Sequence, residues 1–263
     1  MKNLIAIDIG NTNITMGIFE SGRLVRKAKV PTVIAIPPVY NQKREKQSIF
    51  LSEIASSLRV WRRAPRNDVY AVISSVVPRA LVNAKRILRK FPRLKILVAG
   101  EDIKVPIKNL YKKKSHVGQD RLVNAFAAKT LYGAPAVVID FGTAITFDVV
   151  SRKGEYLGGL ILPGIEMGLE LLFRRTALLP KVRLKAAHNL IGKDTADSMR
   201  GGILFGYGAM CDGLISEYRK MMGKDLRVIA TGGNAKLIKR YTKSIRIVDE
   251  DLTLKGLFKL RKI

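Results

Sequence analysis

A single cysteine, Cys211, among 263 residues leaves nothing for it to pair with inside the chain. That excludes a disulfide-stapled scaffold and makes a reducing, cytoplasmic setting the expectation. Its helical spacing with Phe205 and Ile215 places Cys211 in a core, since a free cysteine behaves as a small hydrophobe. Long apolar runs are also missing. No stretch approaches the ~20 apolar residues of a membrane span, and the leading MKNLIAIDIGNTN turns polar before reaching the length of a signal-peptide core. Histidine is scarce: His116 and His188 stand alone without the partner spacing of a metal site, and a contact from His116 to an anionic group is the minority reading. Trp61 and the methionines read as packing residues.

Acidic residues are few as well. There are 21 Asp and Glu against 48 Lys and Arg, a formal charge of +27. Such an excess points to nucleic acid, anionic lipid or anionic ligands, or to a broadly basic surface. It is spread over Lys43-Arg44-Lys46, Arg59 to Arg66, Lys108 to Lys114, Lys239 to Lys243 and Lys255 to Lys262. With no dedicated basic arm among these, the broadly basic surface is the expectation, and nucleic acid is not an expected partner.

What is present is a globular composition, 47% hydrophobic, with room for one large domain or two modest ones. The pattern predicts strands at 3–9, 14–19, 24–30, 69–77 and 94–99, with helices at 46–61 and 79–91 and a loop at 31–47. An amphipathic helix follows at 120–132. Three more strands then run through PAVVIDFGTAITFDVV and EYLGGLILPG, followed by helices at 165–174 and 194–222, a strand at 226–231 and a final helix–strand–helix.

The opening Ile5-Ala6-Ile7-Asp8-Ile9-Gly10-Asn11-Thr12 and Val137-Val138-Ile139-Asp140-Phe141-Gly142-Thr143-Ala144 repeat one another. In each, a buried strand delivers an Asp, a hydrophobe, a Gly and a small polar or hydroxyl residue, and a second strand follows. Glycine at a hairpin tip lets backbone N–H groups approach phosphate oxygens. Asn11, Thr12, Thr143 and Thr146 add donors, and Asp8 and Asp140 supply the oxygens that cations need beside a polyphosphate. One such hairpin is an ordinary turn; two in matching strand context, half a chain apart, predict a phosphate site. No P-loop sequence is present.

Gly118-Gln119-Asp120-Arg121 opens a helix. Asp120 there is either a capping or first-turn acid, favoured by the helix dipole, or a general base for a hydroxyl nucleophile. Arg121 suits a phosphate or a substrate carboxylate. Thr231-Gly232-Gly233-Asn234 fits either the close approach of an adenine or ribose or a plain strand-to-helix turn.

Taken together, DIGNTN (8–13), SSVVP (74–78), VGQDRLVNA (117–125), VIDFGTAITFD (138–148), GGLILPG (158–164), TALLP (176–180), DTADSMRGGILFGY (194–207) and ATGGNA (230–235) resemble the type III pantothenate kinases over most of the chain. The resemblance implies the duplicated actin-like superfold of acetate and sugar kinases, Hsp70 and actin. Two related α/β domains are expected, at 1–117 and 118–263, with a cleft between them. It implies ATP-dependent phosphorylation of pantothenate in a homodimer, with Mg²⁺ or another divalent ion and K⁺ or NH₄⁺. Asp120 matches the catalytic base, and Gly118, Gln119, Asp120 and Arg121 match the pantothenate-contacting segment. Asp8, Ile9, Gly10, Asn11, Thr12, Asn13, Ile14 and Thr15 match the first ATP loop, with Asp8 near Mg²⁺ through water. Thr143 matches an ATP contact, Asp140 the monovalent-cation ligand, Tyr111 a substrate-side tyrosine and Thr195 a substrate threonine from the partner subunit. Gly232 and Gly233 are expected beside the nucleotide. Lys114 stands where the family often has proline. Two rival readings stay open: a kinase of another small alcohol, and a nucleic-acid-binding accessory protein that lost catalysis.

Overall fold

The computed structural model describes residues 3–32, 69–91 and 94–261. The predicted 46–61 helix, Trp61 and most of the 31–47 loop lie outside these residues. The chain divides into two compact units. Unit 1 comprises Met1–Pro106, Ser115–Val123 and Thr253–Ile263; unit 2 comprises Ile107–Lys114 and Asn124–Leu252.

Unit 1 is built on a five-stranded sheet of β1 (Leu4–Ile9), β2 (Asn13–Glu20), β3 (Arg23–Pro31), β4 (Val69–Ser75) and β5 (Leu94–Val98), in the order β3-β2-β1-β4-β5. The first three strands form an antiparallel meander, and β4 and β5 run parallel to β1. Strand alternation decides the two faces. Ile5, Ile7 and Ile9 join Ala71, Ile73 and Val98 under helix α1 (Pro78–Leu88), which contributes Ala84, Ile87 and Leu88. Pro78 opens α1, where its missing N–H costs nothing. Leu4, Ala6 and Asp8 fall on the other face. There the C-terminal helix α6 (Leu252–Leu260) packs, with Phe258 stacked on Phe19 at 4.5 Å.

Unit 2 repeats this plan. Its strands are β6 (Ala136–Phe141), β7 (Ala144–Val150), β8 (Tyr156–Pro163), β9 (Arg227–Thr231) and β10 (Ile247–Val248), in the order β10-β9-β6-β7-β8. Read from β8, this is the order and direction of unit 1: meander first, then two parallel strands. Val137, Ile139 and Phe141 pack with Leu204, Cys211 and Ile215 of the 28-residue helix α4 (Thr195–Met222) and with Ala235 and Ile238 of α5 (Ala235–Ile238). Cys211 is fully buried, as its spacing predicted. Asp194 caps α4 by accepting from the Asp197 N–H at 2.7 Å. Helix α3 (Ile165–Arg175) follows β8.

Helix α2 (Gln119–Tyr132) keeps its predicted span but not its predicted amphipathic character: every residue from Arg121 to Ala128 is buried. The alanines Ala125, Ala127 and Ala128 explain this, because small side chains let neighbouring structure close in on all sides. Its far end is tied to the sheet by the Tyr132 hydroxyl, which donates to Asp249 at 2.7 Å. Among the described residues no helix is long and apolar enough to cross a membrane.

Candidate active site

In unit 1 the connection between β1 and β2 is three residues long. Gly10 N–H donates to the Asn13 carbonyl at 3.0 Å. Thr32 braces the tip from outside, its hydroxyl donating to Gly10 O at 2.7 Å and its N–H to Thr12 O at 2.8 Å. A Cβ on Gly10 would stand 3.3 Å from Asn13 O, a tight contact that leaves little room for a side chain in the turn. Asn11 and Thr12 are exposed; Asn13, Ile14 and Thr15 are half-buried. Ile9 is fully buried in the core, so only its main chain can serve a ligand.

Strand register gives the two aspartates matched surroundings. Asp8 pairs with Thr15 on β2 and Ser74 on β4; Asp140 pairs with Thr146 on β7 and Thr231 on β9. Partners in register present their side chains to the same face. Each carboxylate therefore lies in a row between a threonine and a second hydroxyl residue, at the carboxyl end of the first strand of its unit. Ser74 is fully buried and its hydroxyl has no hydrogen-bond partner. A buried polar atom is costly when unmade, and such exceptions mark places where a further group belongs.

Around Asp140 the packing is close. Asn124 of α2 donates to its Oδ2 at 3.1 Å. Gly232, at φ +88°, lies where a Cβ would overlap Asp140 Oδ1 and come within 2.7 Å of the Phe141 carbonyl carbon. Gly142 borders the same oxygen. Gly164, which lacks the Cβ that would collide with Thr143 O, lets the end of β8 close on the hairpin tip. Gly233 is exposed beside Gly232.

Gly118–Arg121 belongs to unit 1. Asp120 lies in the first turn of α2, where the dipole favours an acid; it is not the cap, because its Oδ1 accepts from the adjacent Arg121 N–H at 2.8 Å. The Asp120 residue keeps some exposure, yet the protein packed around its carboxyl raises its pKa; the Arg121 N–H and the Arg121 charge oppose that shift without cancelling it. Gly118 leaves room for the carboxylate, since a Cβ there would overlap Asp120 Oδ1. Gly100, at φ +87°, does the same for Gln119, whose amide would meet a Cβ at 2.5 Å. Arg121 is buried.

Tyr111 belongs to unit 2. The 108–110 segment pairs with β8 through Tyr156 N–H to Lys108 O (2.8 Å) and Leu110 N–H to Tyr156 O (2.9 Å). The Tyr111 ring then lies on Gly158, 3.2 Å from where a Cβ would be. Thr195 is exposed in the first turn of α4. The structure thus groups Asp8–Thr15 with Gly118–Arg121 in unit 1, and Tyr111, Asp140, Thr143, Thr195, Gly232 and Gly233 in unit 2.

Sequence reasoning passes over Ser74, Asn124 and Thr32, which lie against the candidate site residues Asp8, Asp140 and Gly10. Asn124 carried a signal, being a polar residue inside the apolar LVNAFAA run; Ser74 and Thr32 become visible only through register and turn geometry.

The family model for type III pantothenate kinase matches residues 4–217. The chain belongs to that family. It is 38% identical over 254 residues to the type III pantothenate kinase of Syntrophus aciditrophicus (strain SB), covering 97% of this chain and 96% of that one. It is 37% identical to that of Myxococcus xanthus (strain DK1622) over the same shares. Among solved structures it resembles the ethanolamine utilization protein EutJ from Carboxydothermus hydrogenoformans (TM-score 0.56, 15% identity, 99% and 90% of the two chains). It also resembles component A of the Acidaminococcus fermentans (R)-2-hydroxyglutaryl-CoA dehydratase (TM-score 0.53, 14% identity, 99% and 96%). At such identities the likeness speaks to fold alone, and that fold is the duplicated actin-like α/β architecture of this family.

Proposed function

We propose that the protein transfers the γ-phosphoryl group of ATP to the primary hydroxyl of pantothenate. The products are 4′-phosphopantothenate and ADP, in the first step of coenzyme A biosynthesis, carried out in the cytoplasm. The observation that carries this reading is the pair of matched hairpins, each with its aspartate set between hydroxyl residues at the carboxyl end of a strand. A polar tip of this kind suits phosphate oxygens, and the family sequence match covers both copies.

In this reading the main chain and side chains of Asp8–Thr15, together with Thr143, bind the phosphates, and Gly232 and Gly233 admit the nucleoside. Gly118, Gln119, Arg121 and Tyr111 hold pantothenate, with Arg121 suited to its carboxylate. Asp120 accepts the proton of the primary hydroxyl as that oxygen bonds to the γ-phosphorus. The bond from phosphorus to the bridging oxygen breaks, and its electron pair leaves with ADP. The raised pKa of Asp120 suits a base that must take a proton and later release it.

Both ions fit the residues present. Among the described residues no cluster of three or more His, Cys, Asp or Glu could cage a metal. Mg²⁺ would be held by Asp8 together with water and phosphate, in the neighbourhood of the unpartnered Ser74 hydroxyl. Asp140, fixed by Asn124 and left room by Gly232 and Gly142, is suited to K⁺ or NH₄⁺. These ions supply charge compensation on the phosphates. A homodimer is part of the proposal: Leu160 and Ile161 on edge strand β8 and Met167, Leu171 and Phe173 on α3 are exposed apolar residues of the kind a partner covers, and Thr195 is free to serve the partner's site.

The test is product identification. Incubation with ATP, Mg²⁺ and pantothenate is expected to give 4′-phosphopantothenate by mass spectrometry, whereas glycerol and glucose remain unmodified. Phosphorylation of another alcohol with pantothenate untouched would overturn the substrate assignment.

A further inference from the structure

Unit 2 carries a second concave site, at the opposite end of β9 from the Gly232–Gly233 turn. Arg227 opens β9 and Thr231 closes it, which separates the two ends by roughly 13 Å at the usual strand rise. A cavity of about 440 Å³ lies there, lined by Arg219, Lys224, Arg227 and Arg246, with Leu226 and Val228 among its apolar walls.

The four cations are available. Among the described residues none of them forms an ion pair, while the acids nearby are already engaged. Asp225 receives both Arg152 guanidinium nitrogens, at 2.5 and 2.9 Å, and feels Arg227 only through its field. Glu217 is paired with Lys220 at 2.6 Å. Asp212 accepts from the N–H groups of Lys243 and Ser244 and from the Thr242 hydroxyl.

The same contacts hold the rims still. Asp212 fixes the 242–244 turn before β10. Arg152 also donates to the Met222 carbonyl at 2.7 Å, fixing the turn between α4 and β9. The guanidinium fork of each arginine matches phosphate oxygens.

We propose that this pocket is a second anion site, taking a compact, multiply phosphorylated small molecule. The volume falls in the range of small-ligand pockets, about 300–1,000 Å³. The cations line a concavity with apolar walls, whereas a nucleic acid is tracked by cations laid out along its backbone.

Tripolyphosphate is the probe. It is titrated calorimetrically into the full chain at physiological ionic strength, once with the nucleotide site filled by a non-hydrolysable ATP analogue and once without. The pocket's binding is then readable whether or not the nucleotide site behaves as proposed. One equivalent is expected to bind beyond the analogue. Arg227→Ala with Arg246→Ala is expected to weaken it about 100-fold, tenfold for each arginine. Lys90→Ala with Lys104→Ala, equal in charge change but in unit 1, is expected to leave it unchanged. Arg246→Glu alone serves if the paired variant unfolds. No binding to the analogue-filled protein, or equal weakening in both double variants, would overturn the site. So would a single-stranded oligonucleotide that binds the pocket more tightly than tripolyphosphate.

Discussion

Asn124 and Asp140 are joined by a 3.1 Å hydrogen bond from the amide nitrogen to Oδ2, which fixes how the aspartate presents its carboxylate. Asn124 is almost fully buried, so no water can replace it freely. Asn124→Ala removes one hydrogen bond to a charged group, a loss of about 1.5–3 kcal/mol at such sites. The expected result is at least a tenfold rise in the K⁺ concentration that half-activates the enzyme, with the KM for pantothenate little changed. Asn124→Asp sets a second carboxylate against the first and is expected to be worse. Activity measured across a K⁺ series checks both.

Asp120 links activity and stability with opposite signs. Burial raises its pKa, so the folded state holds this proton more tightly than the unfolded chain does. The stability this contributes is complete below the ordinary aspartate range and is lost as pH rises through the raised value. Above that value the ionised carboxylate is a net cost to the fold. Asp120→Asn is expected to melt higher than the wild type once pH exceeds that raised value, with the advantage fading in acid, while kcat falls by about 10²–10⁴. In the wild type, activity is expected to drop on the acid side at a pH above the ordinary aspartate range. Melting curves and pH–rate profiles of the two proteins give the answer.

Much of the architecture is legible in the residues because hydrophobic periodicity and glycine-bounded turns decide it locally. The IAIDIG and VIDFGT runs announce two strands with polar tips, and their repetition announces the duplication. What could not be read depends on neighbours remote in sequence. Ser74 becomes the partner of Asp8 only through the parallel register of β4, and Thr32 braces Gly10 only through the return of β3. The all-round burial of α2 depends on what packs against it, which periodicity alone does not report. Gly158 falls inside the predicted EYLGGLILPG strand, and nothing local shows that Tyr111 lies on it.

The seating of Tyr111 on Gly158 is testable. Gly158 has φ +116° and leaves 3.2 Å between the site of a Cβ and the Tyr111 ring. Gly158→Ala forces both an unfavourable backbone conformation, costing about 1–3 kcal/mol, and a displaced ring. The KM for pantothenate is expected to rise while the KM for ATP holds. Equal effects on both would argue against Tyr111 as a pantothenate contact.

Cys211 is fully buried, and burial, with a smaller contribution from Asp212, pushes its thiol pKa up to about 12. The thiolate is the reactive form. The native protein is therefore expected to resist iodoacetamide at mildly alkaline pH and to react quickly once denatured. Mass spectrometry before and after denaturant measures this directly.

One assay tests together whether Asp120 is the base for phosphoryl transfer to pantothenate and whether Asp140 serves a monovalent cation. The most direct measurement is ADP release with ATP, Mg²⁺ and pantothenate, with and without K⁺, for the wild type and Asp120→Asn side by side. Turnover is expected to require both pantothenate and K⁺ and to collapse in the variant while ATP still binds. Full turnover in Asp120→Asn, or none with pantothenate in a folded protein that binds ATP, would contradict this expectation.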